Sequence, residues 1–156
     1  MIILGIDPGY DRCGFAVLQK AKNKLQLLDF GIIKTNRKDT FYQRQQEIAE
    51  DFQSLLDKYK PNRLSIEDLF FAQNVTTALK VAQVRGILIN LAYSNGCQII
   101  EPKPVEIKSH FCGNGRADKN AMKQMAQITF GLETSPKIDD AADAIAAAHF
   151  GASFRS

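Results

Sequence analysis

The alternation of hydrophobic and polar residues changes character along the chain. Three short apolar runs come first, and a Pro-Gly turn and a Lys-rich polar segment separate them. Short apolar runs bounded by turn-forming residues are typical of strands, and short connections between them favour an antiparallel meander. We therefore predict strands over Ile2–Asp7, Cys13–Leu18 and Leu25–Thr35.

A helical period then replaces the strand pattern. Apolar side chains recur every three or four positions between Thr40 and Lys60, and Pro61 marks the end of this helix. Arg63–Glu67 reads as a fourth strand, which should run parallel to the first because a helix connects them. Further elements are predicted over Asn74–Asn95 (helix), Cys97–Glu101 (strand), and Pro104–Cys112, Asp118–Phe130 and Asp139–Phe150 (helices). This order predicts a single α/β domain over residues 1–156, with a five-stranded mixed sheet flanked by helices.

The helix predicted over Asn74–Asn95 carries two apolar stripes, whereas a helix that lies on a sheet needs only one. Two interpretations stay open: the helix is buried beneath another helix of its own domain, or its second stripe is a subunit interface. One stripe contains Val75, Leu79, Ala82, Gly86, Ile89 and Tyr93, and the other contains Val81, Val84, Leu88 and Leu91.

Composition narrows the class of protein. Hydrophobic residues make up 45% and charged residues 24% of 156 residues, which excludes a disordered tail, a collagen-like rod and a coiled coil. No apolar run is long enough to span a membrane, and no export signal is visible, so no membrane association is expected. Three cysteines, odd in number and far apart, favour reduced thiols in the cytoplasm. A net charge of +3 is too small to indicate a nucleic-acid partner by itself.

Acidic residues stand at the ends of three predicted elements. Asp7 ends the first strand, Glu67 ends the fourth, and Asp139, Asp140 and Asp143 open the last helix. The two strands should be neighbours, and Asp140 and Asp143 project from one helical face. Each acid also has a structural explanation as a turn residue, a solvated strand end or a helix cap. Together they predict a site for a divalent cation, because carboxylate oxygens are the ligands that Mg²⁺ prefers.

Several short motifs follow one another along the chain. They are Gly5-Ile-Asp-Pro-Gly9 with Gly14, Ile66-Glu-Asp-Leu-Phe-Phe-Ala-Gln-Asn74, Ala78-Leu-Lys80, Gln83-Val-Arg-Gly86 and Asp140-Ala-Ala-Asp-Ala144. In these motifs the chain resembles the RuvC-type Holliday-junction resolvases over nearly its whole length. The first motif alone is weak, since other nucleases and ATPases share a similar strand and turn, but the later motifs in this order and spacing are specific. The resemblance implies an RNase H-like fold, a homodimer and Mg²⁺-dependent cutting of two symmetric strands at a four-way DNA junction.

The resemblance also implies roles for individual residues. Asp7, Glu67, Asp140 and Asp143 match the four catalytic acids, which would hold two Mg²⁺ ions, with Mn²⁺ as a substitute. Two ions about 4 Å apart can stabilise the attacking and the leaving oxygen of a phosphodiester. The products would be a 5′ phosphate and a 3′ hydroxyl.

Five residues are candidates for DNA binding. Lys108 and Lys119 match positions near the scissile phosphates, and Phe70 matches an aromatic residue that stacks on unpaired bases. Lys80 and Arg85 lie on the helix with two stripes, where they either contact DNA or flank a dimer contact. The resemblance further implies a complex with a branch-migration helicase.

Two other functions stay open: a related nuclease that processes structured RNA, and a junction-binding module without catalysis.

The charge supports a nucleic-acid partner once the proposed metal ligands are set aside. With four acids bound to metal, 13 of the 17 acidic residues remain against 20 basic residues, a balance of +7.

Overall fold

The computed structural model describes residues 1–22, 24–69, 75–136 and 139–154. The five strands form one sheet in the order β3-β2-β1-β4-β5, and β1 is antiparallel to β2 and parallel to β4. The predicted five-stranded mixed sheet, its meander and its parallel strands are thereby confirmed. The elements are β1 (Ile2–Asp7), β2 (Arg12–Ala21), β3 (Lys24–Lys34), α1 (Phe41–Tyr59), β4 (Arg63–Ile66), α2 (Val75–Ser94), β5 (Gln98–Ile100), α3 (Pro104–Cys112), α4 (Lys119–Phe130) and α5 (Asp139–Ser153).

The central strand β1 divides its side chains between two cores. Leu4 and Ile6 face the core formed with α1 and α2, whereas Ile3 faces the core formed with α3, α4 and α5. Successive side chains of a strand point to opposite faces of the sheet. Asp7 therefore lies on the same face as Ile3, which is the face that α5 covers.

Helix α5 packs closely against the sheet because small residues line both sides of the contact. A Cβ atom added to Gly5 would lie 2.3 Å from the backbone oxygen of Ala144. Most of α5 is buried, and much of its buried surface is alanine. Glycine in the strand and alanine in the helix bring the two backbones together, which determines how near the acids of α5 lie to the sheet.

The helix boundaries follow from local hydrogen bonds. Helix α1 begins at Phe41 because Thr40 is its N-cap: the Thr40 hydroxyl accepts from the backbone N–H of Gln43, and the Gln43 side chain accepts from the Thr40 N–H. The helix ends at Tyr59, and Lys60, its C-cap, has a left-handed φ of 45°. The cap accounts for the one-residue difference from the predicted start.

The ribbon of β2 and β3 is longer than predicted. Strand β2 continues to Ala21, and β3 begins at Lys24. A register shift between Val17 and Leu18 interrupts the pairing. Lysines and other exposed residues at the far end of the ribbon weaken the apolar pattern there, so the prediction stopped short.

Helix α2 buries one stripe and exposes part of the other. Val84 and Leu88 are buried in the core shared with α1. Leu79 and Tyr93 are 54% and 73% exposed. The interpretation that a second helix of the same domain covers this stripe is therefore wrong for the described residues. Among the described helices, none combines the length and apolar character needed to cross a membrane.

Candidate active site

Two of the predicted acids stand at the ends of adjacent parallel strands. Asp7 is the last residue of β1, and Glu67 directly follows β4. The backbone N–H of Glu67 donates to the carbonyl of Ile6 at 3.2 Å, which holds the two strand ends side by side. Ile6 and Ile66, which directly precede the two acids, point into the core formed with α1 and α2. Because successive side chains of a strand point to opposite faces, Asp7 and Glu67 point to the other face, which α5 covers.

The other two acids reach the same place from α5. A Cβ atom on Gly14, which pairs with Asp7 across the sheet, would lie 2.0 Å from the backbone oxygen of Asp140. This glycine lets the first turn of α5 rest directly on β2. Asp140 and Asp143 are one turn apart on the helix, and both interact electrostatically with Asp7. The structure thus brings the four sequence-predicted acids to one end of the sheet.

Burial and mutual repulsion perturb three of these carboxyl groups. Burial, followed by the charges of Glu67, Asp143 and Asp140, raises the pKa of Asp7 well above its usual value. Burial and the nearby Asp143 raise the pKa of Glu67 to about 7. Burial also raises the pKa of Asp143, against the opposing effect of Lys108. Each carboxylate is thus costly to ionise beside the others, which is the condition that a bound cation relieves.

The side chain of Asp140 shows how the group fits a metal ion. Its Oδ2 atom is buried without a hydrogen bond, although it lies 2.9 Å from Nε of Arg12 in an ion pair. Within the described ranges, no three His, Cys, Asp or Glu side chains already converge as a preformed cage. The acids supply hard oxygen donors of the kind a divalent cation prefers, and among the described residues Oδ2 of Asp140 is held by the ion pair with Arg12 alone.

Comparison with known proteins gives this acidic site a context. Residues 3–150 match the family of crossover junction endodeoxyribonucleases named RuvC. The chain belongs to the RuvC family. The RuvC of Petrotoga mobilis is 39% identical over 155 residues, covering 99% of this chain and 95% of the relative. That of Brachyspira hyodysenteriae is 42% identical over 148 residues, covering 95% and 91% respectively.

A solved structure agrees with the fold at full length. Thermus thermophilus RuvC in complex with a Holliday junction substrate superposes with a TM-score of 0.88, at 28% identity, and the match covers 96% of this chain and 92% of that chain. The fold is therefore the RNase H-like fold of RuvC proteins, as predicted. RuvC proteins are nucleases that depend on a divalent metal.

In this RuvC-family chain, two lysines approach the acids. Lys108 on α3 is close enough to Glu67 and Asp143 to oppose the rise in their pKa values. Lys119 on α4 acts similarly on Asp7, while its Nζ atom lies 3.1 Å from Asp139. Both lysines therefore lie beside the acidic site, and their contact with DNA stays a prediction.

Asp139 lies outside the acidic site. It forms ion pairs with Lys119 and Lys123, which lower its pKa. As the first residue of α5, it also lies favourably at the positive end of the helix dipole. Asp139 and Asp140 are adjacent in sequence but have different partners: lysines of α4 for Asp139 and Arg12 for Asp140.

The remaining predicted DNA contacts have intramolecular partners or lie outside the described residues. Lys80 lies 5.5 Å from the ring centroids of both Tyr10 and Phe41, in cation–π contact. Arg85, with a side chain only 13% exposed, forms ion pairs with acidic neighbours on the β4 and β5 ends. Phe70 lies outside the described residues.

Arg85 has a clear structural role. Its Nε atom donates to the backbone carbonyl of Glu67 at 3.0 Å, and its guanidinium pairs with Asp68 and Glu101. These bonds fasten the segment that carries Glu67. Its contact with DNA stays a prediction.

Sequence reasoning missed two groups near the acids. Arg12 pairs with Asp140, although the two residues are distant in sequence and nothing in the motif indicates the pair. Asp11 pairs with Arg37 and with the buried Arg44, which also donates to the carbonyl of Tyr10. Arg44 lies on the apolar face of α1, four positions before Ile48. A buried charge requires a partner, so this position could have indicated an acidic residue nearby.

Proposed function

We propose that this chain resolves four-way Holliday junctions in DNA, hydrolysing two symmetric phosphodiesters during recombination and repair. The cuts leave 5′ phosphate and 3′ hydroxyl ends that a ligase can rejoin. The observation that carries the proposal is the set of four carboxylates, drawn from β1, the end of β4 and α5, within a family match that spans residues 3–150. The sheet and the helices on its two faces would act as a single nuclease domain.

The acids Asp7, Glu67, Asp140 and Asp143 would hold two Mg²⁺ ions, and Mn²⁺ would substitute. Bound there, such ions supply charge stabilisation for the attacking and leaving oxygens of the phosphodiester. Asp7 interacts with all three other acids, so it is the residue best placed to contact both ions. The rigid end of β1, paired on both sides, keeps this carboxylate in place.

Basic residues beside the acids would orient the scissile strand. Lys108 and Lys119 approach the carboxylates from α3 and α4. A phosphate group bound between them would be held against the acidic site while its charge is partly neutralised. We assign Phe70, which directly follows the segment of Glu67, to stacking on unpaired bases of the junction.

The proposed active form is a homodimer. One chain supplies one acidic site, and two symmetric cuts require two such sites related by a twofold axis. The exposed apolar stripe of α2, with Val75, Leu79 and Tyr93, supports this assembly. The family resemblance further supports a complex with a branch-migration helicase. Cys13, Cys97 and Cys112 are free thiols, which supports action in the cytoplasm.

The deciding experiment is cleavage of a synthetic four-way DNA junction with and without Mg²⁺, beside sedimentation to measure the dimer. Asp7→Asn should abolish cleavage and leave junction binding nearly unchanged, because it removes a metal ligand without removing the basic surface. A precursor ribosomal RNA tested in parallel separates the RNA-processing alternative. Cleavage that survives Asp7→Asn would show that the metal assignment is wrong, and wild-type binding without any cutting would favour a non-catalytic module.

A further inference from the structure

A cross-strand pair of cations lies beside the acidic site, on the ribbon of β2 and β3. Arg12 and Lys34 are directly opposite each other in the register of these strands. Directly opposed residues project from the same face with Cβ atoms about 4.5–5.5 Å apart, and like charges in that position destabilise the sheet. The arrangement is unfavourable for the isolated chain, so an external anion would relieve it.

The two cations line a surface cleft that continues into the acidic site. One cleft contains Arg12, Lys34 and Arg37, and a neighbouring cleft contains Asp7 and Asp140. The clefts share Asp11 and Arg12 as common walls. The two clefts are therefore adjacent, so a chain of phosphates that passes the acids would next meet Arg12 and then Lys34.

The charges of this cleft are only partly neutralised within the molecule. Arg37 is 80% exposed and shares Asp11 with the buried Arg44. In the part of the chain that the structure describes, Lys34 forms no ion pair. Arg12, 52% exposed, has Asp140 as its partner, and it loses that partner if Asp140 turns to a metal ion.

We propose that Arg12 and Lys34 form a phosphate-binding subsite for a duplex arm of the junction, adjacent to the catalytic acids. This inference rests on the proposed function, since it requires that junction DNA occupies the acidic site. Exposed cations at the end of a strand pair fit the phosphodiester backbone and carry no base recognition. The subsite therefore adds affinity and fixes the direction of the arm, independently of sequence.

The test measures junction binding as a function of salt with metal ions chelated, so that cleavage and metal affinity do not enter. The logarithm of the association constant falls linearly with the logarithm of the salt concentration, and each lost phosphate contact reduces the magnitude of that slope by about 0.9 on B-form DNA. Lys34→Ala should therefore reduce the magnitude of the slope by about 0.9. The ratio of wild-type to variant affinity should then be about eightfold larger at 0.1 M salt than at 1 M. The double variant Arg12→Ala/Lys34→Ala should reduce the magnitude of the slope at least as much as Lys34→Ala alone, because Arg12 stays paired with Asp140 while metal ions are chelated.

Lys24→Ala is the matched control. Lys24 is exposed on the same strand, β3, but lies ten positions from Lys34, roughly 33 Å along an extended strand. It should leave the slope unchanged. The Tm of Lys34→Ala should be no lower than that of the wild type, because the side chain is exposed and its removal relieves the like-charge pair with Arg12, so weaker binding cannot be attributed to unfolding.

The outcomes separate this inference from the proposed function. Wild-type binding with an unchanged slope in Lys34→Ala overturns the subsite and leaves the resolvase function standing, whatever the double variant shows. An equal loss in Lys24→Ala also overturns it, since the effect would then reflect total charge. A wild type that neither binds nor cuts the junction overturns the proposed function itself, and the subsite with it.

Discussion

The close approach of α5 to the sheet can be tested by adding one methyl group at Gly14. A Cβ atom there would lie 2.0 Å from the backbone oxygen of Asp140 and 2.6 Å from its carbonyl carbon. Neither atom belongs to a flexible side chain, so Gly14→Ala should move the start of α5 by about 1 Å. Overpacking of this kind costs about 3 kcal/mol at its upper end, which lowers the Tm of a chain this size by roughly 6–12 °C.

The same displacement should affect the chemistry more than the stability. Asp140 and Asp143 move with α5, whereas Asp7 stays on β1, so the acids lose their relative positions. A misplacement of about 1 Å can lower a rate about 100-fold. We expect this loss in metal-dependent junction cleavage, measured at a temperature where the variant is fully folded.

Gly31→Ala is the matched control on the neighbouring strand. Its added Cβ would lie 3.1 Å from the ring of Phe15, a side chain that can shift by a few tenths of an ångström. It should change Tm and cleavage far less than Gly14→Ala. If Gly14→Ala retains both the wild-type Tm and the wild-type cleavage rate, then α5 does not rest on β2 as described and the argument for the site fails.

Two pH dependences follow from perturbed groups. Because the pKa of Glu67 is raised to about 7 in the metal-free protein, Mg²⁺ affinity should rise with pH and be about tenfold weaker at pH 6 than at pH 8. Calorimetric titration with Mg²⁺ at the two pH values measures this difference, and equal affinities would contradict the prediction. His149 packs against His110, with their ring nitrogens 3.1 Å apart, and burial lowers the pKa of His149 to about 4. The unfolded chain, with a His pKa of about 6.5, then binds more protons, so this contribution to stability is present above pH 6.5 and is lost as the pH falls towards 4. The stability difference between wild type and His149→Leu, measured by urea unfolding, should shrink by roughly 1–2 kcal/mol across that range, and a constant difference would refute the assignment.

Much of the fold could be predicted because its elements obey local rules. The apolar run of β1, the helical stripe of α1 and the stop at Pro61 each reflect contacts within a short segment or with one face of the sheet. The parallel direction of β1 and β4 and their position as neighbours followed from the helical crossover between them. The boundaries were less accurate at the ribbon end near Lys24, where exposed lysines and glutamines surround the few apolar residues that pack against the core.

The site was predictable in part. The acids at strand ends and at a helix start suggested one location, and the family motifs specified which of them to choose. The partners of Asp140, Asp11 and His149 could not be predicted, because each depends on how distant segments pack in three dimensions. Asp140 has Arg12 as its partner only because Gly14 lets α5 lie against β2.

The position of α5 also has a consequence for folding. Asp7 of β1 emerges early during synthesis, whereas the acids of α5 emerge after nearly all of the described chain. Contacts between segments so far apart in sequence form late, since a long loop must close before they stabilise the fold. An unfinished chain would therefore present Asp7 and Glu67 without Asp140 and Asp143. The capacity to cut DNA would then be acquired in a single late step, when α5 completes both the core on its face of the sheet and the acidic site.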